Sequence, residues 1–123
     1  MDKKDKDLLI KDFSARVFYG VKVNIERDFP NNPQIVERIG KDGEIIVNGI
    51  FAYDIYYYKP YLRPMDSMTE EEENEYRAIN CYEGLFPRNE DALDYVLSHH
   101  LDFRGLIEKG LALEAPEDMY KTE

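Results

Sequence analysis

Two turn dipeptides, Asp42-Gly43 and Asn48-Gly49, constrain this chain more than any other feature of it. Each stands between apolar runs. A tight hairpin turn of type I′ needs positive φ at both central positions, which asparagine, aspartate and glycine supply. Two such turns in succession predict a three-stranded antiparallel meander over about 35–40, 44–47 and 50–58. The third run enters the densest aromatic stretch of the chain, where five of the ten tyrosines lie between Tyr53 and Tyr61. Aromatic and β-branched side chains at this density favour a pleated, half-buried strand.

Centring the turns on these dipeptides also predicts which side chains share a face, because directly opposed residues lie on one side of a sheet. Val47 then opposes Ile50, Ile46 opposes Phe51, and Ile39 opposes Ile46. One face carries Ile35, Ile39, Ile46, Phe51, Tyr53, Ile55 and Tyr57, and is the expected core. The other carries Val36, Arg38, Ile45, Val47, Ile50, Ala52, Asp54, Tyr56 and Tyr58. This mixed face is apolar enough to need cover, either within the chain by the N-terminal helix or the C-terminal half, or by a second copy or a partner. Cover within the chain is preferred, because the helical half supplies apolar side chains that need a surface. Ile50→Asp is the expected discriminator: it unfolds the chain if the cover is internal.

Upstream, Leu8, Leu9, Asp12, Phe13 and Val17 fall on a helical stripe and predict a short N-terminal helix over about 5–16. Val21, Val23 and Ile25 alternate with Lys22, Asn24 and Glu26, which reads as a strand. Asp28 to Pro33 is a loop. The result is an α+β fold: a small antiparallel meander or barrel-like sheet over about 21–58, packed with a helical C-terminal half over about 70–99. Lys59 to Pro64 contains two prolines and reads as a connector that ends the sheet. Thr69 to Glu72 is a capping box. It predicts a helix over about 70–83 with Tyr76, Ile79, Cys81 and Tyr82 inward, stopped by Gly84. Asn89 is the next N-cap, for a helix ending near His99-His100. The segment 101–115 reads as a turn, one short helical turn and an extended end that offers a fifth strand. Residues 117–123 are polar and read as a frayed tail.

A chain of 123 residues fits one domain, with a β-rich half over 1–65 and an acidic helical half over 66–116. The formal charge of −10 is unevenly placed. Residues 1–65 hold 11 lysines and arginines against 10 acidic residues, and residues 66–123 hold 5 against 16. Such a surface disfavours nucleic-acid binding, which needs net basic charge, and suits a basic partner. The single cysteine, Cys81, makes no internal disulfide or CxxC zinc site, and a reducing cytoplasm is the expected compartment. The N-terminus has no apolar run of signal-peptide length, and no window approaches a membrane span.

Two stretches, KPYLRPMDSMTEEE (59–72) and HHLDFRGLIEKGLALEAP (99–116), resemble short proteins encoded by gut Bacteroidales and by their phages and mobile elements. Those proteins join a variable β-rich N-terminal half to a C-terminal block of this kind. The likeness covers about a quarter of the chain. That family has no assigned activity, so no catalytic residue carries over. The resemblance implies a mobile-element accessory protein rather than a metabolic enzyme.

Two constellations merit attention. Arg38, Asp54, Tyr56, Tyr58 and Arg63 form a candidate interaction surface, rich in the residue types that anchor protein interfaces. His99, His100, Asp102 and Arg104 form a weaker polar cluster. His99, His100 and Asp102 suggest a metal site or an acid–base pair, but adjacent helical histidines point about 100° apart and no third ligand stands at recognisable spacing. No cofactor is expected. Three readings follow: a non-catalytic protein-interaction or self-associating module, an acidic nucleic-acid mimic or inhibitor of a basic protein, and a small hydrolase or metal enzyme using His99, His100 and Asp102. The first is preferred.

Overall fold

A computed structural model describes residues 2–81 and 84–120. The first helix, α1, spans Lys3–Arg16, and the Asp2 side chain caps it by accepting from the Asp5 amide at 2.8 Å. It buries Leu9, Asp12, Phe13 and Arg16 on one stripe. One 3-10 turn, Val17–Tyr19, continues it, and Gly20 at φ 74° ends it in left-handed geometry.

Six strands follow: β1 (Lys22–Asn24), β2 (Gln34–Ile39), β3 (Ile45–Val47), β4 (Phe51–Tyr53), β5 (Lys59–Leu62) and β6 (Leu113–Glu114). They form one sheet in the order β4-β3-β2-β1-β5-β6. Neighbours are antiparallel except β5 and β6, which run parallel. With helices α2 (Glu70–Asn80) and α3 (Glu90–Ser98), this is the expected α+β fold. The sheet is open, with β4 and β6 at its edges.

The meander exists, but its register differs from the expected one. Val47 pairs with Phe51, not Ile50, so the second turn holds Asn48, Gly49 and Ile50. Ile39 pairs with Ile45, and the ladder slips between Val36 and Arg38. A one-residue slip moves every side chain of a strand to the other face. The core face therefore combines Val36, Ile45 and Val47, expected on the mixed face, with Tyr53 from the other. Ile35, Phe51 and Tyr57 are exposed rather than central. Ile50 sits in the turn with 83% of its surface in solvent, so Ile50→Asp does not probe the core.

The aromatic run is not one strand either. The Asp54 carboxylate accepts from the Tyr56 amide and starts a 3-10 turn over Ile55–Tyr57, which ends β4 and buries Ile55. The supposed connector is β5, placed inside the sheet between β1 and β6. Pro60 is tolerated because β6 reaches only Tyr61 and Leu62, so at Pro60 one flank of β5 is still an edge.

α1 covers the sheet. Leu9 and Phe13 meet Val21, Val23, Ile25, Val36, Ile45, Val47 and Leu62, joined by Leu106 and Leu111 from the C-terminal segment. A second cluster, Tyr76, Ala92, Tyr95, Val96 and Leu101, lies between α2 and α3. The Thr69 capping box starts α2 as expected. Cys81 at φ 60° ends it and is exposed rather than packed; Tyr82 lies outside the described residues. Asn89 caps α3, accepting from the Ala92 amide at 2.8 Å. The tail is not frayed as far as Tyr120, whose hydroxyl accepts from the Lys22 amide and donates to the Tyr61 carbonyl, both at 2.8 Å. Among the described residues no helix is long and apolar enough to cross a membrane.

Candidate functional site

The feature that gathers most polar chemistry is a cleft of about 580 Å³ where β5, the start of α2, the end of α3 and the C-terminal segment meet. Its position follows from the backbone. Beyond β5, the Arg63 amide donates to the His100 carbonyl and the Arg63 carbonyl accepts from the Asp102 amide, each at 2.7 Å. On the other flank the Ala115 amide donates to the Leu62 carbonyl at 2.8 Å. These bonds place Arg63 between the exit of α3 and the segment 114–120.

Arg63 grips Glu72 with two parallel bonds, Nη2 to Oε1 at 2.7 Å and Nη1 to Oε2 at 2.9 Å. The same carboxylate accepts from the Thr69 amide at 3.0 Å, so one side chain caps α2 and neutralises the arginine. The Arg63 guanidinium, helped by the Thr69 amide and against partial burial, holds the Glu72 carboxyl down to about 2.

On the opposite wall, the His99 ring stacks on Tyr95 at 4.0 Å, and its Nδ1 lies 2.9 Å from the Tyr95 carbonyl. A carbonyl can only accept, so Nδ1 donates here, and Nε2 is the ring nitrogen left facing away from that bond. Asp66, Glu114, Glu117 and Tyr120 are also in the lining.

The two groups singled out from the sequence are thus regrouped. Arg63 and His99, from different groups, line one cleft. The rest of the expected interaction surface does not converge. Tyr58 is buried: its hydroxyl donates to the Gly43 carbonyl at 2.7 Å and its ring meets Phe13. Asp54 caps its own turn. Arg38 is exposed on β2, opposite Ile46. Tyr56 stays exposed, with the Lys6 ammonium 5.8 Å from its ring, and Tyr57 beside it carries Arg27 at 5.0 Å.

The polar cluster also disperses. His100 adopts φ 56°, which turns its ring into the interior, where it stacks on Tyr120 at 4.0 Å. Its Nε2 donates to the Tyr19 carbonyl at 3.1 Å. Burial, with the nearby Arg16 charge, pushes its pKa down to about 4. Asp102 accepts from the Leu106 and Ile107 amides at 2.9 and 3.0 Å and ties down its own turn. Arg104 reaches Asp12 on α1 at 3.0 Å. His99, His100 and Asp102 therefore face three different environments, and among the described residues no three His, Cys, Asp or Glu side chains converge as a metal site would require.

The sequence reading missed a fully buried polar pair. Asp12 and Arg16 form a fully buried ion pair at 2.8 Å, and Arg16 also donates to the Leu101 carbonyl at 2.6 Å. The signal was present, since Asp12 falls on the apolar stripe of α1 with Arg16 one turn later. Glu114, Glu117 and Tyr120 were missed because nothing local distinguishes them from a polar tail. Comparisons with protein-family models, with curated proteins and with solved structures found no match.

Proposed function

We propose that this chain is a non-catalytic protein-interaction module, of the accessory kind its sequence resembles, and that the cleft receives a basic segment of a partner protein. One observation carries this reading: among the described residues lining the cleft, the sole arginine or lysine, Arg63, is already neutralised by Glu72. Asp66, Glu114 and Glu117 then set the sign of the cleft. Lysine and arginine side chains are donors without acceptors, the complement of such a lining. Titration with a lysine- and arginine-rich peptide tests it. Binding that weakens with salt and with Glu114→Gln plus Glu117→Gln is expected. Peptide binding that ignores both substitutions sinks the reading.

The surplus of 16 acidic over 5 basic residues in 66–123 favours a second reading, an acidic mimic that occupies a nucleic-acid-binding surface. Its contact would spread over the acidic start of α2, Glu70 to Glu73, rather than centre on the cleft. Glu70→Gln with Glu71→Gln would then weaken binding more than the cleft substitutions, and DNA would compete for the partner. Neither reading gives this chain an affinity of its own for DNA or RNA, and a gel shift at physiological salt would contradict both.

A further inference from the structure

We infer that two copies of this chain pair edge to edge through β4, about a two-fold axis at Ala52. β4 is an outer edge of the sheet: β3 occupies one side, and no strand among the described residues occupies the other. Chains that stay single blunt such edges by keeping them very short, or with charge, proline, bulges or cover. Phe51–Tyr53 is short, but it contains neither charge nor proline. Its flank is apolar and open instead, with Ile50 exposed by 83% and Phe51 by 45%. Phe51 stands edge-on to Phe29 at 5.5 Å, and Phe29 meets Tyr53 at 6.4 Å, so the edge ends in a partly exposed aromatic cluster. Three residues of strand hold a partner weakly; the aromatic cluster supplies the apolar contact that a ladder this short lacks.

Symmetry and charge select a second copy over an unrelated strand. An antiparallel edge is its own complement under a two-fold axis. Ala52, small and exposed, meets itself there, and Phe51 of each copy opposes Tyr53 of the other. The charge argument concerns the rest of the surface. Residues 66–123 hold 16 acidic against 5 basic groups, so two copies repel wherever those halves face each other. Residues 1–65 are almost balanced, at 10 against 11. In the strand order, β4 lies four spacings from β5, which leads into the acidic half. At about 4.8 Å per spacing this is roughly 19 Å within each copy, so the acidic halves stand several Debye lengths of about 8 Å apart. β4 is where apolar surface can meet with that repulsion screened. It is also the edge remote from the cleft, which β6 borders, so loss of pairing leaves peptide binding at the cleft intact.

Light scattering on the native chain from micromolar to millimolar concentration is the first measurement. A concentration-dependent rise towards twice the 14.5 kDa chain mass is expected. Ile50→Lys with Phe51→Lys should hold the mass at one chain, with unchanged circular dichroism. A native chain that stays single throughout, or a dimer that survives both lysines, overturns the inference. Geometry gives an independent check. Opposed residues of an antiparallel pair have Cα atoms about 4.5–5.5 Å apart, inside the disulfide range of about 4.4–6.8 Å. Ala52→Cys in a Cys81→Gly background should therefore cross-link readily on mild oxidation. The native chain, whose exposed Cys81 lies at the end of α2 in the acidic half, should not. The reverse pattern would place the contact elsewhere and sink the proposal.

Discussion

Single residues set how tightly the first turn closes over α1. Gly43 adopts φ 91°, and a Cβ there would meet Ile10 Cγ1 and the Ile55 Cβ and Cδ1, all at 3.2 Å. Gly49 at φ 70° has nothing within 4 Å. Gly49→Ala should therefore cost only the left-handed strain, about 1 kcal/mol, and Gly43→Ala roughly 2–3 kcal/mol by denaturant unfolding. Equal costs would mean that Ile10 and Ile55 simply move aside. Two other residues divide the acid range. His100 has its pKa lowered to about 4 from an unfolded value near 6.5. As pH falls through that window the unfolded chain gains a proton that the folded chain refuses, so stability drops, by about 3 kcal/mol if the shift is fully expressed. Arg16, His99 and Arg63 all oppose the imidazolium and keep the sign unchanged. Glu72 falls to about 2 from 4.5, so its contribution is present above 4.5 and lost as pH drops towards 2. His100→Gln should flatten the stability profile between pH 6.5 and 4, and Glu72→Gln below 4.5. A profile that His100→Gln leaves unchanged would show the ring is not held neutral.

At the scale of elements, the parts governed by short-range chemistry were legible and the parts governed by pairing were not. The Thr69 capping box, the Asn89 cap and the stripe of α1 each bind groups within about four residues, and each lies where the sequence puts it. Register is different. Type I′ geometry at Asn48-Gly49 was a sound expectation, and both residues do have positive φ. Taking Ile50 into the turn nevertheless shifts β4 by one position and reverses its faces. That choice is made by Phe29 and Asp28, distant in sequence, which hold Phe51 and the Tyr53 hydroxyl. Asp54 offered a local signal, since a short acidic side chain amid tyrosines caps a turn more readily than it sits in a strand. The cap at Cys81 allows a direct test. A side chain at φ 60° carries left-handed strain that glycine lacks. Cys81→Gly should raise stability by about 0.5–1 kcal/mol, seen as a melting temperature higher by a few degrees. A lower melting temperature would mean that the cysteine sulfur, 3.3 Å from the Ala78 carbonyl, outweighs the strain.

Across the whole molecule, specific polar links join the acidic half to the sheet beside the β5–β6 pairing and the shared apolar core, and the candidate cleft owes its shape to them. Arg16 of α1 reaches the Leu101 carbonyl, Arg104 reaches back to Asp12, and Arg63 clasps Glu72. None of these was predictable as a pair, because each joins segments whose proximity only the fold creates. Tyr120 is the last such link and the most exposed to test. Its hydroxyl bridges β1 and β5, its ring covers His100, and its edge lines the cleft. Tyr120→Phe keeps the stack and removes both hydrogen bonds, leaving the Lys22 amide without its acceptor, at a cost of about 1–2 kcal/mol. Tyr120→Ala also removes the ring and should cost roughly 2–4 kcal/mol. It should do more than destabilise: without its cover the His100 ring meets water, its pKa should rise towards 6.5, and the acid window described above should narrow. The two substitutions therefore separate on one NMR titration of the His100 ring, with the phenylalanine variant near the native value and the alanine variant well above it. If both titrate alike, the tail does not seal the interior, and the cleft wall it forms is open to rearrangement by whatever binds there.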